Sequence, residues 1–401
     1  MKITSLEVRS AAVGAKNCIF VVVKTDEGIT GYAETIMKRK TRMMEAGIHE
    51  LSRFLVGRDP TQIEDLWEKM YRDSFWVGGP AHATPLSAVE IALWDILGKS
   101  LGVPIYKLLG GPTRDRIPVY CHCATGPTPE TFAAAAKACV AAGHRAMKTG
   151  IPLMYGGDAG VRVNGKASRH DYGYYGTRGA IEPSLKETEL LPADFFTRVR
   201  EFFVAAREAV GPQVHLMVDA HGRLSPANAR RLCEALSDVE MLFIEEPVPP
   251  ESAESLREVV ASSPVPIATG ERWATIYDAR RFLEAGAVAV AQPDVVNCGG
   301  LMQAKKIAAL AEAHYVPIAP HNPNGPLATA ASIQLAASIP NFLILETIGS
   351  TDDRAEQAAV AQPAIEFEDG CLKLPTCPGL GIEPVFSEID KRPYQPFEGW
   401  R

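Results

Sequence analysis

Apolar and polar residues alternate along the first 34 positions of the chain, in VRS, CIFVVVKT and ITGYAE, around the turn signal Asp26-Glu27-Gly28. Alternation with a period of two predicts strands. Residues 40–72 and 83–101 change to helical spacing, as in Ala88, Ile91, Ala92, Trp94 and Leu97. The first ~115 residues therefore read as three strands followed by helices, a separate α+β unit. A break at Gly110-Gly111-Pro112 opens a new rhythm of strand IPVYCHC, helix PETFAAAAKACVAAG and strand HRAMKTG, which continues through NFLILET. Eight strands are expected, at 117–123, 144–149, 214–219, 241–245, 265–269, 287–291, 316–320 and 341–346, with ends good to a few residues.

Six polar residues each follow one of the later apolar runs: Asp219 (HLMVDAHGR), Glu245 (MLFIEEP), Glu271 (VPIATGER), Asp294 (VAVAQPDVV), His321 (VPIAPHNP) and Glu346 (NFLILETI). The gaps of 26, 26, 23, 27 and 25 residues are each about one strand–loop–helix–loop unit. A chain that repeats this unit builds a (β/α) barrel, and the residue just past each strand falls on the C-terminal rim, where such folds place active sites. A single acid at a strand end is more often a helix cap or a salt-bridge partner. Six in one register point to a shared site.

Two segments depart from the rhythm. Residues 152–192 are polar, rich in Gly and Tyr, and carry no helical period, so they form a long insertion leaving the second barrel strand. The tail from about 363 reads as short strands and turns that pack back on the N-terminal unit, since the barrel's strands are already counted.

Composition narrows the function classes. Hydrophobic residues make up 46% and charged residues 22%, the profile of an ordinary globular protein. The net charge of −7 argues against nucleic acid or an anionic membrane as partner. MKITSLEVRS has no signal-peptide core, and no apolar run of about 18 residues suggests a membrane span, so a cytoplasmic protein is expected. The eight cysteines lack paired CxxC spacing. Cys121-His122-Cys123 hints at a metal site, but the expectation is reduced core cysteines.

Three carboxylates on consecutive strand ends, Asp219, Glu245 and Glu271, would repel one another without a counter-ion, and all-oxygen ligation suits Mg²⁺. Asp294 beside His321 would orient the imidazole and raise its basicity, giving a general base. His221, two residues past Asp219, projects from the same strand end. Metal, base and second histidine suit removal of a proton next to a carboxylate with loss of a leaving group. Mg²⁺ on the carboxylate oxygens would neutralise the charge of the resulting enediolate. Lys148 ends the second strand and points at the rim, either as a carboxylate binder or as a plain surface lysine. Glu246 reads as a supporting residue. His144, His215 and His314 fall at strand starts or helix ends, on the opposite face.

The order Asp, Glu, Glu, Asp, His after an α+β cap resembles the mandelate racemase subgroup of the enolase superfamily, and within it the galactonate dehydratase-like sugar-acid dehydratases. The segments DEGITGYAE, LVGRDP, WVGGP, ALWDILGK, LLGG, VDAHGR, FIEEPV, GER, QPDVVNCGG, APHNPNGP and PGLGIE carry the resemblance along nearly the whole chain. It implies a (β/α)7β modified TIM barrel with an N-terminal α+β capping domain completed by the C-terminal tail. The divisions would be 1–116, 117–362 and 363–401. It further implies Mg²⁺ on Asp219, Glu245 and Glu271, with the His321–Asp294 pair as base, the base-and-metal pairing of that superfamily. His221 would be the general acid for the departing 3-hydroxyl, and Glu346 would lie near the substrate carboxylate. Residues 11–19 and 73–82, including Trp76, match cap loops that close over substrate.

The chain departs from the family pattern in two places. The Lys-x-Lys motif ending the second strand reads Lys148-Thr149-Gly150, so the second, opposite-face base is missing and a two-base racemase is disfavoured. The 152–192 insertion is long, as in mannonate dehydratase-like relatives that place a catalytic tyrosine there, so Tyr155, Tyr172, Tyr174 and Tyr175 are candidates. The expected reaction is dehydration of a sugar acid, an aldonate such as galactonate, gluconate or mannonate, to a 2-keto-3-deoxy acid, by a homo-oligomer. A racemase, epimerase or cycloisomerase with a Tyr or His170 as second base, and a non-catalytic sugar-acid-binding protein, are the alternatives.

Overall fold

A computed structural model describes residues 1–14, 16–154, 162–163, 166–167, 191–348 and 351–395. The chain divides into two compact units. One comprises Met1–Pro118, Gly270–Arg280 and residues 292–395, the other Val119–Thr269 and Arg281–Ala291.

The first unit begins with an antiparallel meander of strands Ile3–Val13, Lys16–Thr25 and Thr30–Thr35. Its central strand is buried along Asn17–Val23, because it has a neighbour on each side and a helix over one face. The helical run expected over 40–72 is two helices, Thr41–Leu55 and Ile63–Arg72. Gly57 and Pro60 separate them. Gly57 has a φ of 82°, and Pro60 has no N–H to continue a helix. The helix Pro80–Leu101 starts with Pro at its first position and stops at Gly102, whose φ of 68° is the left-handed C-cap conformation. It lies directly on the third strand: a Cβ on Gly31 would fall 2.1 Å from the Ala92 carbonyl oxygen.

Buried carboxylates in this unit cap the ends of other helices. Glu90 accepts the N–H groups of Leu301 and Met302 at 2.8 and 2.9 Å, at the start of helix Leu301–Ala313, and the indole N–H of Trp94 at 2.8 Å. Glu34 accepts the N–H of Leu327 at 3.0 Å, at the start of helix Pro326–Ser338. Helix N-termini leave N–H groups without intrahelical partners, and a carboxylate answers both the hydrogen-bond need and the dipole. Both acids are fully buried, and desolvation lifts each to about 7 against the pull of those N–H donors.

The tail lies in the same unit. Arg9 pairs with Asp390 at 3.1 Å, Lys99 with Glu383 at 2.9 Å, and Ala11 bridges Pro393. The tail is expected to pack on the N-terminal unit, but its Cys371–Lys373 strand also pairs antiparallel with Arg116–Pro118, at the start of the first barrel strand.

The parallel strands run in the order the repeat predicts. Arg116–His122, Ala146–Gly150, His215–Asp219, Met241–Glu245, Ile267–Thr269 and Val290–Ala291 are successive neighbours in one sheet. The seventh position is reduced to a single parallel bridge, Ile318 to Phe342, and the last strand, Leu345–Thr347, pairs with the first. This is the modified TIM barrel. Several strands are shorter than their apolar runs, because hydrogen bonding spans only part of each buried segment. A helix, Thr351–Val360, follows the last strand.

Candidate active site

Asp219 and Glu245 are the last residues of their strands, and Glu271 lies two residues beyond Thr269. The first two are buried at 5% and 0% exposure. Side-by-side pairing sets these ends level, with Asp219 opposite Glu245 and Ala268 opposite Glu245 on its other side. One ligating oxygen from each of the three acids lies within 4.8 Å of the others. Among the described residues they are the one grouping of three His, Cys, Asp or Glu side chains spaced to hold a metal ion.

Three buried carboxylates this close would raise one another's charging cost steeply without positive charge nearby. Each has a cationic neighbour. Lys148 donates to Glu245 Oε2 at 2.6 Å and lies 3.8 Å from Asp219 Oδ2. His221 Nε2 is 3.0 Å from Asp219 Oδ2, and His321 Nε2 is 2.9 Å from Glu271 Oε2. The donor set is all carboxylate oxygen, level and largely buried, which fits a hard divalent ion such as Mg²⁺. Lys148 is only 4% exposed, with Tyr120's ring 5.2 Å from its ammonium, so the surface-lysine alternative falls.

His221 owes its place to a strained turn. Its φ is 49°, a region that costs a residue with a side chain about 1 kcal/mol or more. Asp219 Oδ1 accepts the His221 N–H at 2.8 Å, and the Gly222 N–H bonds the Glu246 carbonyl at 2.7 Å. These bonds hold the turn so that the imidazole folds back on Asp219. Glu246, also at positive φ (40°), accepts from Thr269 Oγ1 at 3.5 Å.

Within the first unit, His321 Nδ1 is 2.8 Å from Asp294 Oδ2. Asp294 is fixed in turn by the Val296 N–H at 2.9 Å and by Asn324 Nδ2 at 3.1 Å to Oδ2 and 3.3 Å to Oδ1. With the proton on Nδ1 facing Asp294, the opposite nitrogen Nε2 is the one that exchanges protons, a tautomer inferred from the hydrogen-bond network. Burial opposes charge on His321. Glu271, Glu346 and the Asp294 hydrogen bond outweigh it and hold the imidazole well above its usual range. Glu346 is fully buried, 4.0 Å from His321 Nε2, and accepts the Asn322 N–H at 3.0 Å.

Sequence reasoning passed over Asn322 and Asn324. Asn322 Nδ2 bonds Thr329 Oγ1 at 3.0 Å and the Glu346 carbonyl at 3.1 Å, pinning the segment that carries His321. The signal was the polar run APHNPNGP, where asparagines between prolines mark a turn whose side chains replace backbone bonds. The remaining candidates are not gathered here. Trp76 is 83% exposed, its ring edge-on to Phe75 at 5.1 Å, with no described contact to the acids. Tyr155, His170, Tyr172, Tyr174 and Tyr175 lie outside the described residues. All eight cysteines are free. Cys18, Cys121, Cys123, Cys233 and Cys298 are buried as expected, whereas Cys377 is exposed.

Parallel strands ending in a level carboxylate cluster, with an Asp–His pair carried by later strand ends, define a barrel enzyme of the enolase class. Family models agree: residues 2–110 match the mandelate racemase / muconate lactonizing enzyme N-terminal domain, and residues 131–388 match the enolase C-terminal domain-like family. The chain belongs to the mandelate racemase subgroup of the enolase superfamily. It is 37% identical over 369 residues to D-galactonate dehydratase of Ralstonia pickettii, covering 91% of this chain and 88% of that one. It is 33% identical to D-galactonate dehydratase of Xanthomonas euvesicatoria, covering 100% of this chain and 96% of the other. A solved structure of an enolase superfamily member from Salmonella Typhimurium superposes with a TM-score of 0.87 at 28% identity, over 98% of both chains.

Proposed function

We propose that the protein is a Mg²⁺-dependent sugar-acid dehydratase that converts an aldonate to a 2-keto-3-deoxy acid. The observation that carries this reading is His321, held by Asp294 on Nδ1 and turned with Nε2 toward Glu271 and Glu346. The D-galactonate dehydratases it resembles over nearly their full length support the reaction class.

Asp219, Glu245 and Glu271 would hold the ion. Bound Mg²⁺ would supply Lewis acidity, countering the charge that gathers on the substrate carboxylate as C2 loses its proton. With the charge of Glu271 committed to the ion instead of to the imidazole, His321 Nε2 would be free to take that proton, while Asp294 keeps Nδ1–H in place and stabilises the imidazolium. The electron pair left on C2 expels the C3 hydroxyl, to which His221 Nε2 delivers a proton, so the leaving group departs as water. The enol that remains tautomerises to the 2-keto-3-deoxy acid. Gly150 has no side chain to act as a base on the second face, which favours this one-sided elimination over racemisation. Lys148 and Glu346 are placed near the substrate carboxylate in this reading and Trp76 in a covering loop, while Tyr155, a candidate for substrate contact, lies outside the described residues. Cytoplasmic residence and a homo-oligomeric state belong to the same proposal.

The test is a screen of purified protein with Mg²⁺ against mono- and diacid sugars, reading 2-keto-3-deoxy product as its semicarbazone. Turnover of one or a few aldonates is expected and names the substrate. Metal-loaded protein that turns over no member of the library would overturn the reading.

A further inference from the structure

The backbone ladder between the last two barrel positions breaks where the reaction centre begins. Ile318 donates its N–H to the Asn341 carbonyl at 2.8 Å, and the Leu343 N–H returns to the Ile318 carbonyl at 2.8 Å, a regular parallel pair. The next bond would come from residue 320, but Pro320 has no N–H to give. Regular register would then bring the Leu345 N–H to the Pro320 carbonyl. Instead the Glu346 N–H reaches it, one residue late and at a longer 3.3 Å. Strand pairing therefore leaves Glu346 loosely placed relative to His321, the residue that follows Pro320.

Asn322 takes over from the ladder. Its N–H donates to Glu346 Oε2 at 3.0 Å, and its Nδ2 donates to the Glu346 carbonyl at 3.1 Å. One residue thus grips both the side chain and the main chain of Glu346. The amide is itself anchored: Nδ2 also donates to Thr329 Oγ1 at 3.0 Å, and that hydroxyl donates to the Gly325 carbonyl at 2.9 Å, at the start of helix Pro326–Ser338. Asn322 and Glu346 are both fully buried, so these bonds form without competition from water.

We propose that Asn322 is a positioning residue that holds Glu346 against His321, in place of the strand pairing that Pro320 interrupts. The proposal rests on the reading of His321 as the base, because the distance that Asn322 sets is the 4.0 Å between Glu346 and His321 Nε2. Its two bonds to Glu346 do different work. The backbone N–H aims the carboxylate and survives truncation of the Asn322 side chain. The side-chain amide fixes the Glu346 main chain, and truncation removes it. The long contact to Pro320 is then the main-chain bond left between Glu346 and the His321 segment, so the carboxylate shifts while its bond to the Asn322 N–H persists.

Asn322→Ala in the full-length, Mg²⁺-loaded protein tests this. Its crystal structure should show the Glu346 carboxylate displaced from His321 Nε2, or spread over more than one position, a readout that needs no substrate. With D-galactonate, D-gluconate and D-mannonate as probes, kcat should fall about 100-fold, the order of loss that a misplacement of about 1 Å brings. KM should change by less than about threefold, since the loss falls on the transition state and not on binding. Exchange of the C2 proton with deuterated solvent should fall by the same factor as dehydration, because Glu346 stands beside the nitrogen that takes that proton. Thr329→Val removes the anchor of the amide but neither bond to Glu346, and should keep kcat within about threefold of wild type. Asn322→Ser, which leaves a smaller void, serves if the alanine variant does not fold. Glu346 in its wild-type place in the crystal structure of the variant, or an unchanged kcat, would overturn the proposal. An equal loss in Thr329→Val would overturn it too, since Asn322 would then merely prop the whole segment. Wild-type protein that turns over none of the probes counts against the dehydratase reading instead, and the crystal structures still decide the role of Asn322.

Discussion

Replacing Glu34 with Gln tests whether a buried carboxylate beneath the His321 segment carries a measurable electrostatic load. Glu34 is fully buried and capped onto the N-terminus of helix Pro326–Ser338, and desolvation raises it from 4.5 to about 7. Protons bind it more tightly in the folded chain than in the unfolded one. Its contribution to stability is therefore fully present below about pH 4.5 and is lost as pH rises through about 7. The gap between those two values, at about 1.36 kcal/mol per pH unit, corresponds to about 3 kcal/mol. Gln cannot ionise, so the stability difference between wild type and Glu34→Gln should move by that amount in the variant's favour between pH 4.5 and pH 8. Taking the difference cancels every other titrating group, Glu90 included. Urea unfolding of both proteins across that range, followed by circular dichroism, provides the measurement. A difference that stays flat with pH would refute the reasoning and mean that the N–H donors of the helix offset the desolvation fully.

Other predictions concern the reaction centre. His321→Asn should abolish exchange of the substrate C2 proton with deuterated solvent, followed by NMR; exchange at the wild-type rate would remove His321 as the base. His221→Asn should stop dehydration while leaving C2 exchange, and equal loss of both would assign His221 to binding instead. Lys148→Met breaks a buried ion pair, a change that commonly costs about 3–5 kcal/mol, and leaves Glu245 without its lysine and Asp219 with only His221 beside it. Its melting temperature should fall much further in EDTA than in saturating Mg²⁺, and an equal drop in both would separate Lys148 from the metal site.

The sequence by itself determined the architecture and most of the site. Strand–helix units of nearly constant length can satisfy their apolar strands only by lying side by side, and a residue just past each strand must then reach a common rim. That is why Asp219, Glu245, Glu271, Asp294, His321 and Glu346 could be named from spacing alone. What the spacing left open was settled by contacts between residues far apart in the chain. Lys148 was equally a surface lysine or a buried one until Glu245, 97 residues away, was seen to hold it. Glu34 and Glu90 looked like ordinary members of a strand and a helix; their work as caps depends on helices more than 200 residues later. A periodic pattern tells which face a residue occupies, because that is a local property of the backbone. Which group stands opposite that face depends on how distant segments pack, and only the folded chain decides it.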